Sequence, residues 1–363
     1  MDRTGIYYWK CDRAAAFHGT EAHRPDNPQL EASLTRALER HFPGTALTLT
    51  PADGQGNHRT FRLDFPPPQP PAFVRTEDGP ERDNYFAVET AVTARLLALG
   101  LPVPRVLASD CSRAETPFAW QALEHVPYPD LNQHFKQGTL TLGPIAETIG
   151  EAVARWQDIR PQGYGPFSAT AAQADGALLG LHPTHASYFF CNLDRHLAFL
   201  TGRGFLTPDQ TAAVTEAISR RQGLLDAGPG VLVHKDLALW NILGPPDRIA
   251  AFIDWDDAIS GDPMDDLSLL ACFHGPDVLA RAFAGYARVR PLPPDHLPRF
   301  WLCLLRNMLV KAVIRVGAGY FTRNDGFFLI GAGSNGADLE AFTRARIATA
   351  LRGLNENHSL DTL

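Results

Sequence analysis

The sequence predicts an α+β protein of two lobes, a small antiparallel β-sheet lobe followed by a larger, mainly helical one. Three observations carry this. Strand-forming runs, ALTLT, RTFRLDF and PAFVRT, crowd the region 47–75. From about Pro127 helical spacing takes over, with runs at 142–159, 185–202, 208–226, 277–288, 296–317 and 337–352. One polar motif, HKDLALWN at 234–241, sits on a strand, loop and strand inside that helical half. At 363 residues the chain is long enough for two lobes with a sizeable core.

In chain order, residues 1–46 form an arm and a helix, 47–126 a small lobe and 127–363 a large lobe. The arm 1–26 is aromatic-rich and shows no periodicity. A helix starts at Asn27-Pro28, a cap followed by proline at the first helical position, and runs to about His41. The turn ADGQGN joins the first two strands, and Pro66 to Pro71 stiffen the next connection. Residues 82–99 have helical spacing, with Phe86, Val88, Ala91, Leu96 and Leu97 on the apolar side. Strands follow near Val103–Leu107 and Phe118–Val126, the second being the connection between lobes.

Composition excludes several classes. A formal net charge of −7 argues against nucleic acid as the main partner, since phosphate backbones select basic faces. The first residues carry charge where a leader peptide needs an apolar run, and the stretch FWLCLLRNMLVKAVIRVG is interrupted by Arg306, Lys311 and Arg315, so no membrane span is expected. Five cysteines, odd in number and without a C-x-x-C pair, indicate neither a zinc site nor a disulfide framework; a reducing cytoplasm is the simplest compartment. The chain has four lysines, Lys10, Lys136, Lys235 and Lys311, its other basic residues being arginines.

The chemistry concentrates in VLVHKDLALWNILGPPDRIAAFIDWDDAISGDP. An apolar strand delivers His234 and Asp236 to a loop; Asn241 follows five residues later, and a hairpin returns to Asp254. Phosphoryl transfer from a nucleotide needs this order: a carboxylate facing the attacking hydroxyl, then an amide and a second carboxylate holding Mg²⁺ against the phosphates. Asp236 is the candidate catalytic base, and Asn241 and Asp254 are the candidate metal ligands. His234, Asp262 and Asp266 read as supporting residues that cap a helix start or hold the loop backbone. Asp256 and Asp257 read as acceptor-side carboxylates, with Arg306 and Lys311 as further acceptor-side candidates. On the nucleotide side, Gly54, Gly56 and Asn57 form a turn whose backbone N–H groups suit phosphate. Arg75 ends the third strand and pairs with Glu89 fourteen residues later. Backbone near Glu124 and Val126 is where adenine is expected. If Arg75 turns to solvent, Lys10 is the alternative basic residue. A β-rich lobe joined to a helical lobe that carries the metal-ligand motif is the architecture of a kinase.

These residues resemble the aminoglycoside phosphotransferase and choline kinase superfamily, protein-kinase-like kinases of small molecules. The family pattern H-G-D-L-x-x-x-N, I-D-W, G-D-P-x-x-D-L is matched by HKDLALWNIL, FIDWDDA and GDPMDDL, and GQGNHRTFRL, LGLPVPRVL and GYGPF extend the match over about residues 47–315. The resemblance implies ATP as donor, Mg²⁺ as cofactor, Asp236 as base, and Asn241 and Asp254 as metal ligands. Lys235 stands where the family mostly has glycine, Arg75 stands for the usual lysine, and the arm 1–26 is not placed by the resemblance. The expected function is transfer of the γ-phosphate to a hydroxyl of a small polyhydroxylated acceptor, neutral or cationic. Asn307 and Lys311, if they line the pocket, would instead favour an anionic acceptor; the plainer expectation is that Arg306 or Lys311 neutralises an aspartate. The rival reading is a nucleotide-binding pseudokinase acting as scaffold or sensor. A metal-dependent hydrolase, a third reading, lacks paired histidines.

Overall fold

The computed structural model describes residues 3–13, 27–52, 58–226, 228–324 and 335–363. Its small sheet has five antiparallel strands, β1 (Thr48–Pro51), β2 (Arg59–Asp64), β3 (Ala72–Glu77), β4 (Val106–Asp110) and β5 (Ala119–Glu124), in the order β1-β2-β3-β5-β4. The two-residue period of the pleat separates the faces. Phe61, Leu63, Ala72, Val74, Trp120 and Ala122 pack under the helix Pro28–His41, whose Leu30, Leu34, Ala37 and Leu38 form one apolar stripe. Arg75 and its cross-strand partner Gln121 point to the other face, toward the helix Phe86–Ala98. Asn27 caps the first helix by accepting from the Leu30 N–H at 3.1 Å.

The expected elements shift where local chemistry intervenes. The helix foreseen at 82–99 starts at Phe86, because Arg82 and Asn84 sit at positive φ and Glu77 accepts the Asn84 and Tyr85 N–H groups at 3.0 and 3.1 Å. The strand foreseen near Val103–Leu107 begins at Val106, past Pro102 and Pro104, which have no N–H to pair. The helix foreseen at 185–202 is two helices, His185–Phe189 and Leu193–Gly202, broken where Asn192 adopts φ 56°.

In the large lobe, β6 (Tyr164–Phe167), β7 (Gly180–His182), β8 (Val231–Val233) and β11 (Ile259–Gly261) form a sheet ordered β7-β6-β11-β8. The two-residue ladder of β9 (Ile242–Leu243) with β10 (Ala251–Phe252) carries the chain back toward Asp254. Around them pack the helices Leu142–Trp156, Asp265–Ala271, Pro276–Val289, His296–Gly317 and Gly336–Glu356. Among the described residues no helix is long and apolar enough to cross a membrane. The five cysteines are free thiols.

Helices Leu142–Trp156 and Pro276–Val289 approach so closely that glycine is required on both. A Cβ on Gly150 would lie 1.9 Å from the Ala282 carbonyl oxygen, and one on Gly285 would lie 2.0 Å from that of Glu147. Gly150→Ala is therefore expected to destabilise the protein by about 1–3 kcal/mol despite alanine's better helix propensity. A thermal melt tests this; an unchanged or raised midpoint contradicts the packing.

Candidate active site

β8 is fully buried and releases the chain at His234 into a loop held mostly by side chains. Asp266 accepts the backbone N–H groups of His234 and Lys235 at 2.9 and 3.1 Å, and the Trp156 indole N–H at 3.1 Å. The His234 Nε2–H donates to the Ile253 carbonyl at 2.9 Å, while its Nδ1 accepts from the Asp236 N–H at 3.3 Å. Burial pushes that imidazole down to about 4, so it stays neutral and orients the loop. Asn241 Nδ2 donates to the Asp236 carbonyl at 2.8 Å, and the Ile253 N–H donates to the Asn241 carbonyl at 3.0 Å. The loop of Asp236 and the hairpin that ends on Asp254 are thus one hydrogen-bonded unit.

Asp236 is 2% exposed, and both its oxygens are occupied. Oδ1 accepts from the Tyr8 hydroxyl at 2.8 Å and from Lys311 Nζ at 3.2 Å. Oδ2 accepts from Lys10 Nζ at 2.6 Å and from Asn241 Nδ2 at 3.1 Å. Burial pushes the carboxyl up, but Lys10, Lys311 and the Tyr8 hydroxyl overcome it and hold the group far below the ordinary carboxylate range. It is an anion at every ordinary pH.

Asp254 sits at φ 68°, with Oδ1 3.3 Å from Arg75 Nη1. Arg75 is buried in an ion pair with Glu89 and donates to Gln121 at 2.9 Å. Glu89 also accepts the Trp255 N–H at 3.2 Å, tying the small-lobe helix to the Asp254 turn. Burial and the nearby Asp256 push Asp254 above its ordinary value, and the same two causes push Asp257 up to about 7. Such crowding of carboxylates favours a cation. With Asn241 Nδ2 turned to Asp236, its side-chain oxygen and the Asp254 carboxylate are the hard oxygen donors that Mg²⁺ prefers.

Other candidates fall elsewhere. Gly54, Gly56 and Asn57 lie outside the described residues. Glu124 pairs with Arg105 at the lobe junction, and the Val126 carbonyl accepts the Tyr128 N–H. Asp262 pairs with Arg299 and accepts the Met264 N–H, so it supports the helix start and not the loop. Asp256 and Asp257, foreseen on the acceptor side, are buried and engaged, Asp256 with His58 at 3.3 Å and Asp257 with Arg3 at 3.1 Å. Arg306, foreseen as an acceptor contact, is enclosed and donates to the carbonyls of Phe189 and Cys191 at 3.0 and 2.7 Å. Lys311 neutralises Asp236, and Asn307 binds Asp265 and Lys235; neither supplies an anion site.

Sequence reasoning left the arm unplaced, and the structure brings its described residues, 3–13, into the site. Arg3 lies between the rings of Trp9 and Tyr85, 4.1 and 3.3 Å from their centroids, and pairs with Asp83 at 2.7 Å. Tyr7 stacks on Tyr188 at 4.7 Å, and the Tyr188 hydroxyl donates to the Tyr7 carbonyl. Asp12 accepts the N–H groups of Tyr7 and Tyr8 and the His196 Nε2–H at 2.7 Å, while Arg306 donates to the other ring nitrogen of His196. Cys11, Asp12 and His196 are close enough to hold an ion, but both nitrogens of His196 are committed and Arg306 lies against them, so the trio anchors the arm. The available signals were the aromatic and basic run YYWKCDR and the scarcity of lysine.

Lys235 explains itself in this setting. Its φ of 69° is the left-handed conformation that favours glycine. The side chain reaches Asp265 at 2.9 Å, Asn307 at 3.0 Å and the Tyr7 hydroxyl at 3.2 Å, fully buried. Lys235→Gly is expected to preserve the backbone turn yet destabilise the protein by about 3 kcal/mol, because Asp265 loses its buried partner. Denaturant unfolding checks this; a more stable variant would show that backbone strain outweighs the ion pair.

The sequence profile of the phosphotransferase enzyme family matches residues 48–297, and the chain belongs to that family. It is 33% identical over 94 residues to viomycin phosphotransferase of Streptomyces vinaceus, covering 24% of this chain and 33% of that protein. It is 26% identical over 188 residues to hygromycin-B 4-O-kinase of Escherichia coli, covering 51% of this chain and 50% of that protein. The chain thus spans about a third and a half of the lengths of these curated relatives. The crystal structure of aminoglycoside phosphotransferase APH(4)-Ia superposes with TM-score 0.59 at 17% identity, over 89% of this chain and 98% of that one. A thermostable mutant of the same enzyme, in ternary complex with AMP-PNP and hygromycin B, also gives 0.59, at 18% identity over 88% and 98%. The two-lobed α+β kinase fold follows from these likenesses.

Proposed function

We propose that this member of the phosphotransferase enzyme family moves the γ-phosphoryl group of ATP to a hydroxyl of a small polyhydroxylated molecule. The observation that carries the reading is the hydrogen-bonded unit joining Asp236, Asn241 and Asp254, with Arg75 of the small lobe set against Asp254. Asp236 orients the acceptor hydroxyl and takes its proton as the new bond forms. Asn241 and Asp254 hold Mg²⁺, which when bound supplies charge neutralisation to the phosphate oxygens. Arg75, positioned by Glu89 and Gln121, serves the phosphates from the small lobe. On the sequence pattern Gly54, Gly56 and Asn57 are assigned to the phosphates, and backbone near Glu124 and Val126 to the base. This divides the chain into a nucleotide lobe at 47–126 and a catalytic and acceptor lobe at 127–363, in the cytoplasm.

Asp256 is paired with His58 and Asp257 with Arg3, which supports a neutral or only moderately cationic acceptor. Neutral sugars, amino sugars, amino alcohols, and the viomycin and hygromycin B that appear in the relatives' names form the panel to screen. Acceptor-dependent ADP formation from Mg·ATP identifies the substrate; nucleotide binding without transfer to any acceptor or to water would favour the scaffold reading.

Asp236→Asn is expected to lower kcat by about 10²–10⁴-fold with nucleotide affinity unchanged. Asp254→Ala is expected to weaken Mg·ATP binding as well. Steady-state kinetics with nucleotide titrations separate the two, and near wild-type turnover in Asp236→Asn contradicts the assignment of the loop.

A further inference from the structure

The arm brings two polar side chains, Tyr8 and Lys10, to the carboxylate on which the proposed reaction turns. Two roles fit such a contact. A removable plug blocks the site until displaced, whereas a permanent wall contributes side chains to catalysis. The anchoring decides between them. Arg3 is buried between two rings and bridges Asp83 to Asp257. Asp12, His196 and Arg306 form a buried relay beneath the arm. Lys235, in a backbone conformation suited to glycine, reaches Tyr7. A plug that leaves on every turnover would strand Asp83 and Asp257 without Arg3 and Asp236 without Lys10, a cost of buried ion pairs.

The two oxygens of Asp236 are also unequally held. Oδ1 is fixed by the Tyr8 hydroxyl, buried at the arm, and by Lys311, 11% exposed between the rings of Tyr8 and Phe273. Oδ2 is held by Asn241 from within the loop and by Lys10, whose side chain is 29% exposed. All four acceptor positions are filled, so an acceptor hydroxyl reaches Asp236 by displacing a donor. Lys10 is the donor at the open side. Its nitrogen lies 2.6 Å from Oδ2, the only side-chain contact it makes among the described residues. A hydroxyl that takes its place on Oδ2 brings a phosphoryl group in transfer within reach of the lysine stem. Lysine suits the task, being a compact charge on a flexible stem that exchanges one anionic partner for another.

Resting on the phosphotransfer reading above, we propose that the amino-terminal arm is a permanent wall of the active site and that its Lys10 carries positive charge to the transferring phosphoryl group. The acceptor hydroxyl takes the place of Lys10 on Oδ2. The bond from acceptor oxygen to the γ-phosphorus forms as the bond to the β–γ bridging oxygen breaks. The acceptor proton passes to Oδ2, the electron pair of the broken bond stays on ADP, and Lys10 keeps its proton throughout while paired to the phosphoryl oxygens. Tyr8 and Lys311 hold Oδ1 and serve as positioning residues.

The test uses the full chain and needs no knowledge of the acceptor. Calorimetric titrations of wild type and Lys10→Met compare Mg·AMP-PNP, Mg·ADP, and Mg·ADP with aluminium fluoride, whose planar anion mimics the phosphoryl group in flight. Wild type is expected to bind Mg·ADP at least about tenfold tighter when fluoride and aluminium are present. Lys10→Met, with a lowered melting midpoint because Asp236 loses a partner, is expected still to be folded, to bind Mg·AMP-PNP within about twofold of wild type, and to lose the tightening. Lys10→Arg, which keeps the charge on a longer, planar group, should recover part of it. Full tightening in Lys10→Met overturns the role of Lys10 and leaves the kinase reading intact. Absence of tightening in wild type overturns the phosphotransfer reading and this inference with it. Loss of amide protection at Tyr7 and Tyr8 in the full chain on binding Mg·AMP-PNP shows a plug and overturns the wall.

Discussion

A carboxylate buried to 2% exposure is tolerable when every acceptor position on it is satisfied, and Asp236 meets that condition with four donors from three distant parts of the chain. Tyr8 and Lys10 come from the arm, Asn241 from the loop itself, and Lys311 from the helix His296–Gly317. These contacts span up to 228 residues of sequence, so satisfying one side chain fixes arm, loop and helix against one another. The surrounding bonds serve the same end. Asp266 holds the loop backbone from one side, and His234 and Asn241 tie it to the Asp254 hairpin from the other.

The use of basic residues follows a division of labour. Arginines make the fixed, forked contacts, as Arg75 does with Glu89, Gln121 and Asp254, and Arg306 with two carbonyls and His196. Of the four lysines, Lys10 and Lys311 meet on Asp236 and Lys235 is the neighbouring residue. Three of the four lysines thus gather at the site, while Lys136 ends the helix Leu131–Lys136 and is exposed. The unbranched stem of Lys235 reaches Asp265, Asn307 and Tyr7 from a backbone position suited to glycine.

What was legible in the sequence is what is encoded locally or in a compact motif. The strand runs, the Asn27-Pro28 helix start and the spacing of Asp236, Asn241 and Asp254 needed no knowledge of distant partners. The arm was not legible, because its described residues, 3–13, hold one short helix at Trp9–Asp12 and pack on Tyr188, His196, Asp257 and Asp83. The charges of Asp256 and Asp257 misled for the same reason. Their partners, His58 and Arg3, lie about two hundred residues or more away in sequence, so the two looked like an open acidic face. Arg306 and Lys311 are five residues apart on one helix yet face different neighbours, one toward the arm anchor and one toward the base.

The central claim is that the arm remains in place as part of the working site. Hydrogen exchange at the Tyr7 and Tyr8 amides reports this directly, because both donate to Asp12 inside the anchored turn. The account predicts protection of these amides in the free protein and equal or greater protection with Mg·AMP-PNP bound. Exchange that rises to the rate of an open chain on nucleotide binding would contradict it, showing that the arm leaves when the site is filled.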